Sequence, residues 1–319
     1  MHVYKAMDGD GSPTVLKGWY MRLCEGRVAI VTGAGRGLGR AHALKLAEHG
    51  AKVVVNDLGA TATGIGADAS PAQGVVDEIV AAGGHAVVDG SDVASWDGAK
   101  ALIRKAIEFF DGLDIVVNNA GILRDRMLIN MTEDEWDSVV RVHMKSTFGM
   151  THHAANYWRL RQKEGKPVDA RVINTTSHSG LYCNIGQANY AAAKAGIASF
   201  SIVAARELQR YGVTVNAIAP RATTRMTEGL REWTEEQLAM REPEWVASLL
   251  TWLASPQSAK VSGRVFEAWG YGITVAESWQ HGATAEASKD PAELGDRIAD
   301  ILAKSRKNAG IDIGQELDP

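Results

Sequence analysis

Two side chains that could transfer a proton lie in a stretch made mostly of small residues. In GQANYAAAKAG, residues 186–196, Tyr190 and Lys194 are four positions apart among alanines. Alanine favours helix, and helical residues four apart lie on the same face. A phenol beside an ammonium group is a candidate general base, because the cation favours the phenolate form. An exposed pair without function would show the same spacing, so the surrounding elements must decide.

A hydroxyl group is expected close to this pair. Ser177 ends the apolar run DARVINTTS, residues 169–177, which predicts a buried strand. Ligands of open α/β sheets bind at the carboxyl ends of the strands. There the Ser177 hydroxyl can donate to a carbonyl oxygen and stabilise a developing alkoxide. A single loop serine is seldom catalytic, but Ser177, Tyr190 and Lys194 together predict the interconversion of an alcohol and a carbonyl compound.

The elements that must position these side chains alternate along the chain. Short apolar runs predict strands, and the intervals between them show helical spacing. The runs are RVAIVT (27–32), KVVVND (52–57), HAVVDGSDV (85–93), LDIVVNNAG (113–121), DARVINTTS (169–177), VTVNAIAP (213–220) and GRVFEAWG (263–270). This alternation predicts an α/β fold of the Rossmann type, a single domain in which a doubly wound parallel sheet of about seven strands carries helices on both faces.

Three segments are distinguished along the 319 residues. Residues 1–24 are polar and predict an N-terminal arm, and residues 25–276 predict the catalytic domain. Residues 277–319 predict a C-terminal extension. Its apolar residues share one helical stripe, which usually docks on the body of a protein or on a partner; they are Leu294, Ile298, Ile301 and Leu302.

A glycine-rich loop follows the first predicted strand. The segment TGAGRGLGR, residues 32–40, does not match the literal G-x-G-x-x-G pattern, but its glycines serve the same purpose. They permit a tight turn and let a diphosphate approach the amino end of the next helix. We expect this loop to hold a dinucleotide cofactor through Gly33, Arg36, Gly37, Leu38 and Gly39.

An acidic residue at the end of the second strand bears on the choice of cofactor. The Asp57 carboxylate could bind both ribose hydroxyls of an adenosine and would repel a 2′-phosphate, which favours NAD over NADP. Arg36 argues the other way, since it could pair with a phosphate, and an ordinary turn role for Asp57 stays open. Further cofactor contacts are expected at the strand ends, from Asp92, Val93, Asn119, Ala120, Gly121, Tyr190, Lys194, Pro220 and Thr224.

The expected chemistry makes a demand on Tyr190. When a hydride leaves an alcohol carbon, a base must take the hydroxyl proton. A free tyrosine has a pKa of about 10, and lowering it to about 7 requires roughly 4 kcal/mol of preferential stabilisation of the phenolate. We expect the Lys194 ammonium and a positive nicotinamide ring to lower this pKa.

Several of these motifs together resemble the short-chain dehydrogenase/reductase family. The matching pieces are TGAGRGLG, NNAG, Ser177 and YAAAK, in that order, over roughly residues 25 to 270. A closer similarity, to the (3R)-hydroxyacyl-CoA dehydrogenase modules of peroxisomal multifunctional β-oxidation enzymes, lies in NNAGILRDRM, WDSVVRVHMKSTF, SHSGLYCNIGQANYAAAK, NDLG and FEAWG. The resemblance implies an enzyme that interconverts a secondary alcohol and a ketone, with a 3-hydroxyacyl-CoA as substrate.

The chain departs from the family pattern at two positions. The family often has Asn where this chain has His143, a residue whose backbone carbonyl helps hold a water against the catalytic lysine. The resemblance therefore implies a catalytic role for His143 through its backbone. The usual Pro-Gly after the sixth strand is Pro220-Arg221 here, and Thr224 is the best match for the residue that holds the nicotinamide carboxamide.

Two other functions stay open at this point. The same machinery could oxidise a hydroxysteroid or a cyclic terpenoid alcohol. A protein of this fold could also bind a nicotinamide cofactor without turnover, as a sensor, although the intact Tyr190 and Lys194 argue against that alternative.

Composition excludes several classes of partner. A net charge of −4 gives no case for binding nucleic acid or an anionic membrane surface, and no apolar run reaches the roughly 20 residues of a membrane helix. Two cysteines make neither a disulfide framework nor a metal cluster, so we expect no metal and a cytoplasmic location. The apolar faces of two long helices predict a homodimer or homotetramer.

Overall fold

A computed structural model describes residues 6–7, 13–14, 22–61, 63–64, 66, 68, 70–223, 233–312 and 315–317. In this part of the chain eight strands form the central sheet, in the spatial order β3-β2-β1-β4-β5-β6-β7-β8. Their bounds are β1 Val28–Thr32, β2 Lys52–Asn56, β3 His85–Asp89, β4 Ile115–Asn118, β5 Ala170–Thr175, β6 Val213–Pro220, β7 Val265–Trp269 and β8 Gly272–Ala276. Strands β1 to β7 are parallel. The doubly wound Rossmann-type α/β fold is therefore confirmed.

Helices cover both faces of the sheet. Their bounds are α1 Gly37–Glu48, α2 Ser70–Ala81, α3 Trp96–Phe110, α4 Glu133–Val140, α5 Ser146–Lys163, α6 His178–Tyr182, α7 Ala188–Leu208, α8 Glu235–Ala239, α9 Pro243–Ala254 and α10 Leu294–Lys304. One apolar layer packs α1, α2 and α9 on the sheet through residues such as Leu46 and Leu253. The opposite layer packs α3, α5 and α7 through residues such as Leu102 and Met150. Because both faces are covered, the inner strands are continuous apolar runs.

The sheet has eight strands, one more than the roughly seven that the sequence predicts. The eighth strand returns from β7 in an antiparallel hairpin in which Trp269 pairs with Gly272 across Gly270 and Tyr271. Most of β8 is exposed, including Ile273 and Val275. The sequence therefore contains no buried apolar run of the kind that predicted the other strands.

A long helical segment follows Thr132 and is interrupted once. It begins with a capping box, in which Thr132 Oγ1 accepts from the Glu135 amide at 3.2 Å and the Glu135 carboxylate accepts from the Thr132 amide at 2.9 Å. Between α4 and α5, however, Arg141–Lys145 form one π-helical turn. Such turns are rare and often lie at functional sites, and this one contains His143.

The terminal segments are only partly described. In the N-terminal arm, Ala6–Met7 pair with Pro13–Thr14. In the C-terminal extension, the expected apolar stripe lies on α10, and Asn308–Ala309 pair with Glu316–Leu317. No helix in the described ranges is both long and apolar enough to cross a membrane.

Candidate active site

The carboxyl ends of the parallel strands open into a cleft of about 390 Å³. It is lined by every residue that the sequence predicted for the site within the described ranges; these are Gly33, Arg36, Gly37, Leu38, Gly39, Asp57, Asp92, Val93, Asn119, Ala120, Gly121, His143, Ser177, Tyr190, Lys194 and Pro220. The remaining residue, Thr224, lies outside the described residues. The fold thus brings together side chains that are up to 187 positions apart in the sequence, from Gly33 to Pro220.

The glycine loop forms a tight backbone cradle at one end of the cleft. Gly33 has a φ of +63°, and a Cβ atom there would lie 2.8 Å from the Cα of Ala120. A Cβ at Gly39 would collide with the carbonyl oxygen of Gly33. The Asn119 side chain fixes the loop by donating to the carbonyls of Thr32 at 3.0 Å and Gly33 at 3.1 Å. Only glycine fits at these two positions.

The amino end of α1 faces this cradle and suits a negatively charged group. Its N-cap residue, Arg36, makes no side-chain capping bond, so among the described residues no side-chain cap occupies the first amides of the helix. Such amides and the helix dipole attract a diphosphate. The cradle therefore fits the diphosphate of a dinucleotide cofactor.

Two carboxylates extend the cleft beyond the glycine loop. Asp57 Oδ2 accepts from the Gly35 amide at 2.8 Å, and Asp57 Oδ1 accepts from the Gly59 amide at 2.7 Å. Each oxygen keeps a further lone pair, so the carboxylate can still accept from ribose hydroxyls. Asp92 accepts from the Ala94 amide at 2.9 Å and forms an ion pair with Arg141 at 3.1 Å, which limits its freedom to reorient.

Ser177, Tyr190 and Lys194 converge from two elements. Ser177 is the N-cap of α6, and its Oγ accepts from the Ser179 amide at 3.2 Å. The same hydroxyl lies close enough to Tyr190, on α7, to lower the pKa of the phenol. Lys194 is only 3% exposed, and its Nζ donates to the Thr175 carbonyl at 2.6 Å while lying 5.6 Å from the centre of the Tyr190 ring. A serine hydroxyl, a phenol and an amine thus meet at one end of the cleft.

Burial dominates the ionisation of this group. It raises the pKa of Tyr190 to about 12, although the hydrogen bond from Ser177 lowers it, and the Asp125 carboxylate raises it further. Burial also lowers the pKa of Lys194 to about 7. Burial thus opposes both the phenolate form of Tyr190 and the ammonium form of Lys194. The lowering of the phenol pKa by Lys194 together with a bound nicotinamide ring stays a prediction.

His143 forms a wall beside Tyr190. Its ring meets the phenol ring edge-on with 5.2 Å between centroids, and its Nε2 lies 2.8 Å from the carbonyl oxygen of Ile122. Burial holds the pKa of His143 well below its usual value, so the imidazole is neutral. A Cβ at Gly121 would strike this ring, which fits a glycine at the end of the NNAG segment. The side chain thus supports the loop that faces Tyr190.

Gln187 joins the two elements that carry Ser177 and Tyr190, and the sequence analysis missed it. Its Oε1 accepts from Ser179 Oγ at 2.7 Å and from Asn184 Nδ2 at 3.1 Å. Its Nε2 donates to Asp125 Oδ2 at 2.7 Å. Gln187 is buried and lines the cleft. A long polar side chain three residues before Tyr190 was the available signal, since that spacing is one helical turn.

Other side chains take structural roles. His178, the residue after Ser177, is buried and contacts Glu267 and Arg221. In the described part of the chain, no three His, Cys, Asp or Glu side chains are grouped so that they could hold a metal ion.

Comparison with known proteins places the chain among dehydrogenases. The sequence profile of the family described as short chain dehydrogenase matches residues 27–237. The hydroxyacyl-CoA dehydrogenase ChsB1 of Mycobacterium tuberculosis is 45% identical over 291 residues, which cover 87% of this chain and 89% of that protein. The peroxisomal multifunctional enzyme type 2 of Drosophila melanogaster is 52% identical over 206 residues, covering 65% of this chain but only 33% of that protein.

A solved structure agrees with these relatives. The crystal structure of a short chain dehydrogenase from Mycobacterium avium has 52% sequence identity and a TM-score of 0.82, and the match covers 90% of this chain and 98% of that one. The family profile covers more than half of the chain. The relatives share 45–52% of their aligned residues with it, which is more than a shared fold alone would require. The chain belongs to the short-chain dehydrogenase family, whose members are NAD(P)-dependent oxidoreductases that act on CH–OH groups.

Proposed function

We propose that this chain uses NAD to interconvert a 3-hydroxyacyl-CoA and the corresponding 3-ketoacyl-CoA. The observation that carries the proposal is the convergence of Ser177, Tyr190 and Lys194 in one cleft with the glycine cradle. A proton acceptor and a hydrogen-bond donor beside a site that fits a dinucleotide are the groups that such a reaction requires. When bound, the cofactor accepts a hydride from the alcohol carbon or returns one to the ketone.

Tyr190 and Ser177 act on the substrate oxygen. In alcohol oxidation the Tyr190 phenolate takes the hydroxyl proton, and in ketone reduction the Tyr190 phenol gives it back. The Ser177 hydroxyl donates to the same oxygen and stabilises its developing charge. Its acceptor capacity is partly used by the Ser179 amide at 3.2 Å, which leaves its hydrogen available for donation. In its protonated form Lys194 stabilises the phenolate.

The relatives and the mouth of the cleft support an acyl-CoA substrate. One relative is named a hydroxyacyl-CoA dehydrogenase and aligns over 89% of its length. The loop that follows the cleft residue Leu123 carries the exposed apolar side chains Met127, Leu128 and Ile129. Exposed apolar side chains at the mouth suit a long apolar group. A hydroxysteroid or a cyclic terpenoid alcohol would fit the same loop and stays the alternative substrate class.

Asp57 supports NAD over NADP. Its two oxygens are held by the Gly35 and Gly59 amides, and a 2′-phosphate placed against them would face a fixed negative charge. Arg36 also lines the cleft but is exposed. A flexible, hydrated cation offsets a fixed and partly buried carboxylate only weakly.

We also propose that the chain forms a homo-oligomer through α5 and α7. These helices border a groove of about 240 Å³ lined by Phe148, Phe200 and Val203, and both Arg159 and Glu207 line it. In a twofold arrangement, Arg159 of one copy can face Glu207 of the other, so the surface is complementary to itself. The free thiols of Cys24 and Cys183 suit the proposed cytoplasmic location.

Replacing the phenol tests the proposed reaction. Tyr190→Phe should lower turnover of a 3-hydroxyacyl-CoA by roughly 10²- to 10⁴-fold, because it removes the proton acceptor. NADH absorbance measures turnover, and calorimetry should show that the variant still binds NAD. The matched control is Tyr157→Phe, since Tyr157 lies on α5 and bonds to Arg161. A Tyr190→Phe variant with normal turnover refutes the role of the phenol, and a wild type without turnover on acyl-CoA, steroid and terpenoid alcohols supports a sensor.

The charge of Asp125 should be visible in the pH profile. The Asp125 carboxylate raises the pKa of Tyr190, so Asp125→Asn should lower that pKa. Below its pKa the base is protonated and inactive, so the acidic limb of kcat/KM for alcohol oxidation should move to lower pH. The amide can still accept from Gln187. Asp134→Asn, on the exposed start of α4, removes an equal charge and should leave the profile in place. A limb that stays fixed or moves to higher pH would contradict the electrostatic role.

The cofactor preference should depend on Asp57. Asp57→Asn removes the charge that accepts the ribose hydroxyls, and such a charged hydrogen bond contributes about 1.5–3 kcal/mol, or roughly 10- to 100-fold. The ratio of kcat/KM for NAD to that for NADP should fall by this factor. Asp77→Asn, on the exposed face of α2, is the control. A ratio that does not change would mean that Asp57 has a turn role only.

The proposed interface can be tested by light scattering. Val203→Glu places a charge in the apolar groove and should convert the oligomer to a monomer while the fold is kept, as circular dichroism can verify. Val80→Glu introduces the same charge on α2, on the opposite side of the sheet, and should leave the mass unchanged; Val80 is likewise exposed. A wild-type protein that is monomeric at micromolar concentration would refute the interface.

A further inference from the structure

A buried polar cluster lies directly behind the Ser177 turn, and the proposed reaction does not use it. We call it the His178 cluster; its members are His178, Tyr182, Arg221 and Glu267. His178 is only 6% exposed and Glu267 only 9%. Burial of so many polar groups is costly unless they are hydrogen-bonded. Each contact in the cluster therefore constrains the position of its neighbours.

The contacts join three elements of the fold. Tyr182, on α6, donates its hydroxyl to Glu267 Oε1 at 2.6 Å, and Glu267 lies on β7. His178 Nε2 lies 2.8 Å from Glu267 Oε2 and accepts from Arg221 Nε at 2.8 Å. Arg221 follows the last residue of β6. Since His178 is the residue directly after Ser177, the ring contacts of His178 set the backbone from which the Ser177 hydroxyl projects.

The cluster maintains its charges in a defined arrangement. Burial raises the pKa of Glu267, but the hydrogen bond from Tyr182 and the charge of Arg221 oppose it and keep the carboxyl ionised. Burial lowers the pKa of His178, so the ring is mostly neutral; its Nε2 then accepts from Arg221 Nε and does not donate to Glu267. The guanidinium of Arg221 then faces a neutral ring and lies near a carboxylate, an arrangement in which the Arg221 charge is compensated.

Arg221 has a second hydrogen-bond partner, in the C-terminal extension. Its NH2 group donates to the carbonyl oxygen of Ile311 at 2.6 Å, and its guanidinium lies 5.1 Å from the centre of the Trp269 ring. Ile311 lies between the two strands of the C-terminal hairpin, which we define by its described residues, 308–312 and 315–317. The hairpin is closed by the pairing of Asn308 with Leu317 and by the Gly310 amide, which donates to the Gln315 carbonyl at 2.7 Å.

Because the guanidinium is rigid, Arg221 couples the position of Ile311 to that of His178. We call this pair of hydrogen bonds the link. The donors of the guanidinium are fixed in one plane, so the position of the Ile311 carbonyl constrains the Arg221 Nε that bonds to His178. We infer that the C-terminal hairpin is a positioning element of the active site, which acts through Arg221 and His178 on the turn that carries Ser177. This inference rests on the proposed role of Ser177 in the reaction.

The link leaves the cofactor cradle untouched. The glycine loop and Asp57 lie at the ends of β1 and β2, and their contacts go to Asn119 and to nearby amides. Breaking the link should therefore lower kcat, because small misplacements of a catalytic group are costly, and leave the glycine loop and Asp57 in place. A role in stability alone would lower the melting temperature and leave kcat unaltered.

The test compares two single changes with their combination. One variant ends at Lys307 and so lacks the hairpin, and the second is Arg221→Gln, which cannot reach both partners. We expect each to lower kcat by roughly tenfold. Because both remove the same link, the combined variant should lose no more than either alone, whereas independent effects would multiply. Multiplying losses, or a normal kcat in Arg221→Gln, would overturn the inference.

A matched control lies within the extension. Arg297 also donates to a backbone carbonyl, that of Glu286 at 2.8 Å, and it pairs with Glu293, but these contacts stay inside the C-terminal segment. Arg297→Gln should keep a normal kcat. If the truncated chain fails to fold, the kcat of Arg221→Gln alone still decides the question.

Hydrogen exchange separates this inference from the proposed reaction, because it needs no substrate. Removing the hairpin or replacing Arg221 should speed amide exchange in residues 177–187 without changing exchange in the glycine loop, residues 33–39. The combined variant should match the single variants. Unchanged exchange in residues 177–187 would overturn the inference even if turnover is observed, and faster exchange would support it even if the enzyme acts on another alcohol.

Discussion

The hydrogen bond from Lys194 to the carbonyl oxygen of Thr175 is the contact on which the geometry of the site depends. The Lys194 Nζ–Thr175 oxygen distance is 2.6 Å, and the bond connects α7 to the end of β5. A second bond joins the same two elements, because Thr176 Oγ1 donates to the Lys194 carbonyl at 2.7 Å. The turn of α6 can approach this closely because Gly180 has no Cβ; a Cβ there would lie 2.6 Å from that of Lys194. Ser177 and Tyr190 are thereby brought into contact from opposite sides of the same junction.

The cost of this junction is that two ionisable groups are buried together. Burial raises the pKa of Tyr190 to about 12 and lowers that of Lys194 to about 7, so the neutral forms are favoured at both positions. Buried polar contacts under the site provide the rigidity that holds such an arrangement. Asn118 donates to Asn174 at 2.8 Å, and Asn174 donates to Ser201 at 2.8 Å, which connects β4, β5 and α7 inside the core. A fully bonded network of this kind specifies one arrangement of its elements.

The sequence was sufficient for the parts of the molecule that depend on local pattern. Buried apolar runs predicted the seven parallel strands, and the glycine spacing predicted the cradle beside β1. The Tyr190–Lys194 spacing predicted a shared helical face. These features follow from backbone conformation and side-chain periodicity, which short segments encode.

Other features depend on burial and on contacts between distant segments, and the sequence could not reveal them. The pKa of Tyr190 depends on how deeply the phenol is packed and on Asp125, which is 65 residues away. The spacing of Gln187 before Tyr190 is visible in the sequence, but its bonds to Ser179 and Asp125 are visible only in the structure. Strand β8 is exposed and lacks the buried run, and the contact between Arg221 and Ile311 spans 90 positions.

The π-helical turn at Arg141–Lys145 bears on how the chain can change in length. A regular α-helix advances about 100° per residue, so one additional residue would turn everything after it away from its packing surface. The π-helical turn holds one more residue than an α-helical turn, so the helix after it keeps its orientation. Both Val139 before the turn and Met150 after it are fully buried. The π-helical turn therefore lets Val139 pack beside Ile122 and Ala193 while Met150 packs in the core under the sheet, without a loop between the two helices.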